Sequence, residues 1–517
     1  MGAPAALAWP RRAAGACFVA ATLGLAACAA PSRVPVWSEA TTDHLVVRTP
    51  EAIEDTARIA RDMETMLAEL AAARPDILGP LPDARGRTQR LVIVALGVRQ
   101  YVALFGGGSI GMFRPAPPLD IDGQPMLFLR VDPGTPLRVV ARHELTHYLL
   151  SQRYGALNRW MNEGLAQFFS TVRYENGALI VGEPIPEREI ALEADHEVNT
   201  KYHEHIALTA IPPPSAILRG ARGYRLQAEY LGAYTMVHMF LHGPDYLRGA
   251  FGEYLRQTTT GASHGAALAS AFAAIPPAQI DADFAVYARS DTRIVRRVRG
   301  YAPGVPAVLR ARVVAPVDVV NTLAEIAIPV PTPFSVTPLL DEIIAEGTAN
   351  SETLAWRAIV DDEGGHPDVA RARIQAARRL DPRDPRPLMA AVHLAARAPN
   401  ARTSAGRAAV TAAIRDLEPL ATTPFQLGIV AAAELGDGRA AEALATSRAA
   451  FGQDHACYVC AVAFARALEA SGDRAQALEV EERAVNLAPP GLRAAEQLKL
   501  ERLRGGDLST PSMFTPD

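Results

Sequence analysis

Apolar residues recur with two different periodicities in the first 130 residues of the chain. Residues 44–49, 90–96 and 125–131 alternate between apolar and polar side chains or are apolar throughout, as expected for β-strands. Between the first two stretches, residues 51–73 place Ile53, Ile59, Met63, Met66 and Leu70 at helical spacing. The pattern therefore predicts a β-α-β-β order.

Helical periodicity continues over three further segments. A helix is predicted from Thr135-Pro136, a favourable N-cap and first-turn pair, to the stop residue Gly155. Asn158 can cap a second helix with an apolar stripe from Met161 to Phe169, and residues 227–241 predict a third. These three helices follow the predicted strands directly.

The chain changes character after residue 290. Residues 305–314 and 326–336 are rich in β-branched residues and proline, which predicts strands or an extended connector over 291–349. From about 350 the sequence is alanine-rich and helical, and Gly438 with Ala443-Leu444 recurs 34 residues later at Gly472. About four degenerate units of this length, over 350–505, resemble tetratricopeptide (TPR) repeats. They form either a protein-binding surface or a helical cap supporting the preceding domain.

The N-terminus has the pattern of an export signal. Arg11 and Arg12 precede an apolar run too short to span a membrane, and Leu25-Ala26-Ala27-Cys28 resembles a bacterial lipobox. Residues 1–27 are therefore expected to be a lipoprotein signal peptide, with Cys28 lipidated and residues 28–36 a tether. The protein would then be lipid-anchored in the bacterial cell envelope, facing the periplasm. The alternative is an ordinary signal peptide cut nearby.

Composition narrows the functional classes. The formal net charge is −4, and no basic run interleaved with aromatic residues is present, so nucleic-acid binding is not expected. Beyond Cys17 and Cys28, only Cys457 and Cys460 remain; they can form a buried or bonded structural pair, or a redox pair. Residues 506–517 are expected to be a disordered tail.

One cluster of residues indicates chemistry. His143-Glu144-Leu145-Thr146-His147 places two imidazoles one turn apart on one face of the predicted helix, where they can bind the same metal ion. Glu163, on the next helix, can supply an oxygen ligand. Three protein ligands with one open position are typical of catalytic zinc. The alternative is two ordinary amphipathic helices.

These motifs resemble those of the gluzincins, the thermolysin-like zinc peptidases, through His143-Glu144-x-x-His147 and Asn162-Glu163-Gly164. The resemblance implies that His143, His147 and Glu163 bind zinc and that Glu144 is the general base. The aminopeptidase branch also has a Gly-x-Met-Glu-Asn string. Its nearest counterpart here, Gly111-Met112-Phe113-Arg114, lacks the Glu, which argues against aminopeptidase activity. The poorly characterised peptidase-MA-like bacterial proteins are more similar.

The same resemblance implies two further features of the site. An edge strand beside the zinc should bind the substrate backbone, and residues 110–114 or 126–131 could form it. Tyr230 on the third helix could donate a hydrogen bond to the oxyanion, with Tyr234 and His238 as weaker candidates; all three could instead be packing residues. Gly106-Gly107-Gly108 predicts a loop over the cleft, and His203-Glu204-His205 a solvated loop.

The sequence thus predicts an α+β protein with a zincin-type catalytic domain, a mixed sheet plus active-site helices, over 37–290, followed by an all-α repeat domain. The predicted function is a membrane-tethered zinc peptidase acting on envelope proteins or peptides, with a protein partner on the repeats. One alternative is an interaction lipoprotein with a weak or inactive site. Another is a zinc enzyme acting on a non-peptide bond. A third, a repeat-containing protease with a Glu-x-x-Ala-Asp ligand, fails because Ala191 stands where that Glu should be.

Overall fold

A computed structural model describes residues 34–505 except 82–89, 108, 116–120, 122–123, 132–136, 156, 184–187, 192–198, 201–202, 208–210, 219–225, 260–263, 291–293, 329–331, 333 and 489. Its secondary structure is mixed α+β with helix predominating, as the sequence predicts. The predicted signal peptide, Cys28 and the predicted tail 506–517 lie outside the described residues. No helix within the described part is both long and apolar enough to cross a membrane.

The centre of the protein is a mixed six-stranded sheet. Its first five strands in the chain are β1 (Ser38–Thr41), β2 (Leu45–Thr49), β3 (Leu91–Gly97), β4 (Gly111–Arg114) and β5 (Met126–Val131). The spatial order is β12-β1-β2-β3-β5-β4, where β12 is Arg310–Val313. The three central strands run parallel, and β1, β12 and β4 pair antiparallel to their neighbours. Strand β4 is therefore one edge of the sheet.

Strand β3 shows why the sheet is buried on both sides. Successive side chains point to opposite faces, so Leu91, Ile93 and Ala95 enter one core while Val92, Val94 and Leu96 enter another. A nearly continuous apolar run is the expected sequence for such a strand. The first core lies under the metal-site helices and the second under helices of the C-terminal half.

In the described part of the chain, ten helices lie between β2 and Arg296, and nine of them contribute to the first core. They are α1 (Ile53–Ala73), α2 (Pro75–Leu78), α3 (Val98–Phe105), α4 (Leu137–Tyr154), α5 (Arg159–Ser170), α6 (Pro214–Leu218), α7 (Leu226–His242), α8 (Asp245–Thr259), α9 (His264–Ala271) and α10 (Pro277–Ala288). Helix α1 contacts α4, and α5 packs against both α4 and α7. The buried ion pair between Arg142 and Glu69 fixes α4 on α1, with 2.8 Å between Nη2 and Oε2.

Two small sheets flank these helices. One contains β6 (Arg173–Glu175), β7 (Ala178–Val181) and β11 (Arg296–Arg299), and the other β8 (Arg188–Ala191), β9 (Asn199–Thr200) and β10 (His203–Ala207). The turn between β6 and β7 is Asn176-Gly177, with both residues at positive φ, as in tight hairpins.

The prediction of strands or an extended connector over 291–349 is wrong for two stretches that form helices. Strand β12 belongs to the central sheet, where Arg312 pairs with the buried Glu39 of β1 at 3.0 Å. Beyond it, the chain forms the helices α11 (Pro316–Ala327) and α12 (Thr337–Ala345) inside the predicted connector. Pro316 and Pro338 lie in the first turns of these helices, where a missing N–H costs no hydrogen bond.

The C-terminal part is a series of helices of similar length. They are α13 (Ser351–Glu363), α14 (Pro367–Leu380), α15 (Arg386–Arg397), α16 (Ser404–Leu417), α17 (Pro424–Gly436), α18 (Ala440–Gln453), α19 (Tyr458–Ser471), α20 (Arg474–Leu487) and α21 (Pro490–Leu503). Consecutive helices contact each other. Gly438 and Gly472, equivalent in the 34-residue repeat, both end a helix at positive φ. Cys457 and Cys460 form a disulfide at the start of α19.

Candidate metal centre

Helix α4 places the two histidines. It ends at Tyr154, and Gly155 follows at φ 77° with its N–H bonded to the Ser151 carbonyl. His143 and His147 are one turn apart in the middle of α4, with ring centroids 4.7 Å apart. The motif therefore lies inside a regular helix, as the sequence predicts.

Helix α5 places the third candidate ligand. Asn158 is the N-cap residue as predicted, although its side chain makes no capping hydrogen bond. Glu163 lies in the second turn of α5. The next residue, Gly164, lets α7 approach closely, since a Cβ there would lie 2.6 Å from the Ala233 carbonyl oxygen. Glu163, a candidate metal ligand, is thus followed directly by the glycine at which α5 and α7 are in contact.

Three side-chain atoms converge between α4 and α5. His143 Nε2 and His147 Nε2 are 3.1 Å apart, and Glu163 Oε2 lies 3.3 Å from the first and 3.6 Å from the second. No other group of three or more His, Cys, Asp or Glu side chains suited to a metal ion occurs in the described part of the chain. The three predicted ligands are therefore brought together, and they could hold one metal ion.

The charges of these groups favour ionised Glu163. Burial would raise the pKa of Glu163, but the adjoining imidazoles of His143 and His147 hold it well below its usual range. Burial opposes charge on His147, yet its contacts with Glu163 and the Glu144 and Glu163 charges leave its pKa raised, with the Asn162 side chain contributing. Without a metal, two imidazoles and two carboxylates thus stabilise one another.

Glu144 faces the edge strand β4. Its Oε2 accepts a hydrogen bond of 2.7 Å from the Phe113 backbone N–H. That N–H points to the free side of β4, so the sheet edge borders the metal centre. Of the two stretches considered from sequence, 110–114 is therefore the edge strand, while β5 lies inside the sheet.

Gly111 is a site residue that sequence reasoning missed. A Cβ atom there would lie 2.6 Å from Val140 Cγ1, 2.9 Å from Glu144 Cγ and 3.0 Å from Glu144 Oε1. Only a residue without a side chain lets β4 come this close to α4. The comparison of Gly111-Met112-Phe113-Arg114 with the aminopeptidase string concerned only the missing Glu, and it predicted no role for Gly111.

Tyr230 of α7 lies within electrostatic reach of the centre. Burial raises the pKa of its phenol, and the charges of Glu163 and Glu144 raise it further, while Arg159 acts in the opposite direction. The Arg159 guanidinium lies 6.0 Å from the Tyr230 ring centroid. The phenol is therefore protonated at neutral pH.

Tyr234 and His238 occupy a different environment. Tyr234 donates its hydroxyl hydrogen bond to the Gly182 carbonyl at 3.3 Å, and His238 Nε2 lies 3.1 Å from the same oxygen. His238 Nδ1 also contacts the Tyr287 hydroxyl. Both residues are buried, and these contacts attach α7 to the chain after β7.

Two further stretches were singled out in the sequence, residues 203–205 and the glycine run 106–108. His203 and His205 lie on strand β10, so the predicted loop is wrong for their backbone. Gly106 ends α3 at φ 75°, while Gly108 lies outside the described residues, so the loop over the cleft stays a prediction.

Comparison of the chain with protein-family models and with curated proteins finds no match.

Proposed function

We propose that the protein is a membrane-tethered, zinc-dependent peptidase of the gluzincin type. The observation that carries this proposal is the triangle of His143 Nε2, His147 Nε2 and Glu163 Oε2, with sides of 3.1, 3.3 and 3.6 Å. Ligands at about 2.0–2.1 Å from a tetrahedral zinc ion are separated by about 3.3 Å. Two imidazoles and one carboxylate form a known catalytic donor set, so the residues present fit zinc.

A bound zinc ion would supply Lewis acidity at the scissile carbonyl and make water a better nucleophile near neutral pH. Glu144 is the base in this proposal. It accepts a proton as the water oxygen bonds to the carbonyl carbon, and it returns the proton to the amine when the C–N bond breaks. The Phe113 N–H holds one Glu144 oxygen at 2.7 Å and so fixes the carboxylate in place.

Two further groups fit this reaction. The Tyr230 phenol stays protonated and can donate a hydrogen bond to the oxyanion that forms on the former carbonyl oxygen. Strand β4 is the sheet edge beside Glu144 and can pair with an extended peptide. An edge strand and a general base at one site favour a peptide substrate over a compact small molecule.

The domain arrangement also belongs to this proposal. The central sheet with α4, α5 and α7 would be the zincin-type catalytic domain, and the helices from α13 onward TPR-like repeats that bind a protein partner. The lipid anchor at Cys28 would hold both at a membrane surface in the periplasm. Glycine turns at Gly438 and Gly472, 34 residues apart in equivalent positions, support the repeat assignment.

The test combines metal content with turnover of unfolded protein substrates by the mature chain. Wild type should carry one zinc ion and hydrolyse peptide bonds. Glu144→Gln leaves the ligands intact, so it should keep zinc but lose about 10²–10⁴-fold in rate. Glu163→Ala should lose the metal. Glu175→Gln, at a half-exposed ion pair on β6, is the matched control and should change neither property.

Two outcomes would count against the proposal. If Glu144→Gln keeps both zinc and near-normal turnover, Glu144 is not the base. If wild type and Glu144→Gln are equally inactive on a broad peptide library, the interaction-lipoprotein alternative is favoured instead.

A further inference from the structure

A second cavity lies at the far end of α4 from the metal centre. Its volume is about 670 Å³, within the range of small-molecule sites. His143 and Arg153 are ten residues apart on α4, which separates the two sites by about 15 Å along the helix. The cavity is open to solvent and is lined by the C-terminal ends of α1, α4 and α7, by α8 and by the start of β11.

The walls of this cavity are unusually cationic. Among the described lining residues, Asp76 is the one carboxylate, against five arginines: Arg74, Arg153, Arg248, Arg256 and Arg296. Asp76 is already paired with Arg74 at 2.6 Å. The C-terminal ends of α4 and α7 add about half a negative charge each. Positive charge therefore exceeds negative charge in the cavity.

Arg248 and Arg296 can turn to a ligand at low cost. Arg248 pairs with Asp245 across the solvent-exposed surface of α8. Such exposed pairs contribute about 0–1 kcal/mol. Arg296 begins β11, and no carboxylate pairs with it among the described residues.

His242, the last residue of α7, lines the cavity. Its Nε2 is buried and has no hydrogen-bond partner in the described part of the protein. Burial and then the charges of Arg74, Arg296 and Arg248 lower the pKa of His242 to about 4. Three guanidinium groups thus lie close to one neutral ring, an arrangement that an anion between them would stabilise. Phe240, Phe251 and Leu255 provide apolar walls.

We propose that this cavity binds a phosphate monoester or diester with an apolar substituent, with Arg296 and Arg248 holding the phosphate and Arg74 adding positive charge beside it. Arginine donors match phosphate oxygens in geometry and charge. The apolar walls would accommodate the rest of the ligand. The same chemistry is found in soluble phosphate esters and in the headgroups of anionic phospholipids. This site is independent of the proposed zinc chemistry.

The experiment uses the mature chain and measures binding by calorimetry. Phenyl phosphate is the soluble probe, with phenol as its neutral counterpart. Vesicles of phosphatidylcholine with or without phosphatidylglycerol test the lipid source. In the lipid arm the anchor is removed by Cys28→Ser and omission of residues 1–27, so that membrane binding reports the cavity alone.

The decisive comparison is Arg296→Ala with Arg297→Ala. Adjacent residues of β11 point to opposite faces, and Arg297 does not line the cavity, so both variants lose one surface charge but only one loses a cavity donor. Arg296→Ala should weaken binding of the effective probe about 10-fold or more, and Arg297→Ala less than about 2-fold. Binding of phenyl phosphate identifies a soluble ester, and binding only of phosphatidylglycerol vesicles identifies a lipid. Binding of neither, or equal loss in both variants, would overturn the proposal.

Discussion

Gly111 is the residue whose missing side chain most directly affects the proposed base. Gly111→Ala would place a methyl group 2.9 Å from Glu144 Cγ, so either β4 or the carboxylate must move. We expect turnover to fall at least about 10-fold, since small displacements of a catalytic group cost about 10²-fold. Zinc content should stay unchanged because no ligand is touched. Gly107→Ala, in open space beside the same strand, is the control; equal turnover in the two variants would show that the close approach is unimportant.

Tyr230 and Tyr234 provide a second test at this scale. Tyr230→Phe removes a donor near Glu163 and Glu144, so the rate of hydrolysis should fall about 10²–10³-fold while zinc is retained. Tyr234→Phe removes a hydroxyl bonded to Gly182 and should cost about 1 kcal/mol of stability without comparable loss of rate. Steady-state kinetics with melting curves separate the two effects. A normal rate for Tyr230→Phe would make it a packing residue.

The site could be predicted at residue level because its information is local. The spacing of His143 and His147 is fixed by one helical turn, and Glu163 follows on the next helix. Gly111 and Phe113 could not be placed in the same way. Their roles arise from contact between β4 and α4, which lie about 30 residues apart and meet only when the sheet has formed.

At the scale of elements, strong periodicity predicted where the central strands and helices begin and end. Most of the ends that the structure describes lie within two residues of the prediction. Residues 310–313 were identified as extended, but their partner β1 is about 270 residues earlier, and the Glu39–Arg312 ion pair that joins them has no local signal. The β6–β7 hairpin, in contrast, does have a local sequence signal. Asn176-Gly177 between two strands is a strong turn signal, and its use would have predicted this hairpin.

Helices α19, α20 and α21 meet at a buried pair of carboxylates. Glu481 of α20 and Glu496 of α21 are both buried, and Glu496 accepts hydrogen bonds from Tyr458 and Lys499 at 2.7 and 2.5 Å. Burial, followed by the Glu496 charge, raises the pKa of Glu481, while the contacts with Lys499 and Tyr458 outweigh burial and lower that of Glu496. One proton is thus retained between them.

This pair predicts a pH-dependent stability of the last helices. Because the folded pKa of Glu481 is above its unfolded value, its contribution is fully present at low pH and is lost as the pH rises through the folded pKa. Glu481→Gln is neutral throughout, so it should stabilise the protein relative to wild type by the order of 1 kcal/mol more at pH 9 than at pH 5. Melting curves at both pH values test this, with the exposed Glu479→Gln as control. An equal difference at both values would contradict the raised pKa.

At the scale of the whole molecule, the helices α13 to α21, here called the helical array, and the central sheet are not separable units. One continuous apolar core contains Val92 and Phe128 of the sheet together with Trp356 and Phe425 of the array. Deletion from about residue 350 would therefore remove a large part of the core on the second face of the sheet. This core favours the interpretation of the array as a supporting cap as well as a binding surface, a point that repeat periodicity alone could not decide.

The C-terminal end of the helical array contacts the end of α4, the helix that carries His143 and His147. Arg483 of α20 donates to the carbonyl oxygens of His455 and Arg153 at 3.2 and 3.4 Å, and Leu487 packs on Gly155 directly after α4. Gly155 is thus required twice, for its positive φ and for the space that Leu487 occupies. Helix α20 can in this way influence the end of the helix that carries His143 and His147.

Gly155→Ala therefore tests the contact between array and metal-site helix. A Cβ there would lie 2.5 Å from Leu487 Cδ2, which adds overpacking of about 1–3 kcal/mol to a left-handed backbone cost of about 1–2 kcal/mol. Gly438→Ala has a similar φ, 81°, in open space and bears only the backbone cost. Gly155→Ala should thus melt at a lower temperature than Gly438→Ala, with faster hydrogen exchange at the end of α4 and in α20. Equal melting temperatures and exchange would mean that α20 does not hold the end of α4, because the two variants share their backbone strain and differ only in the contact with Leu487.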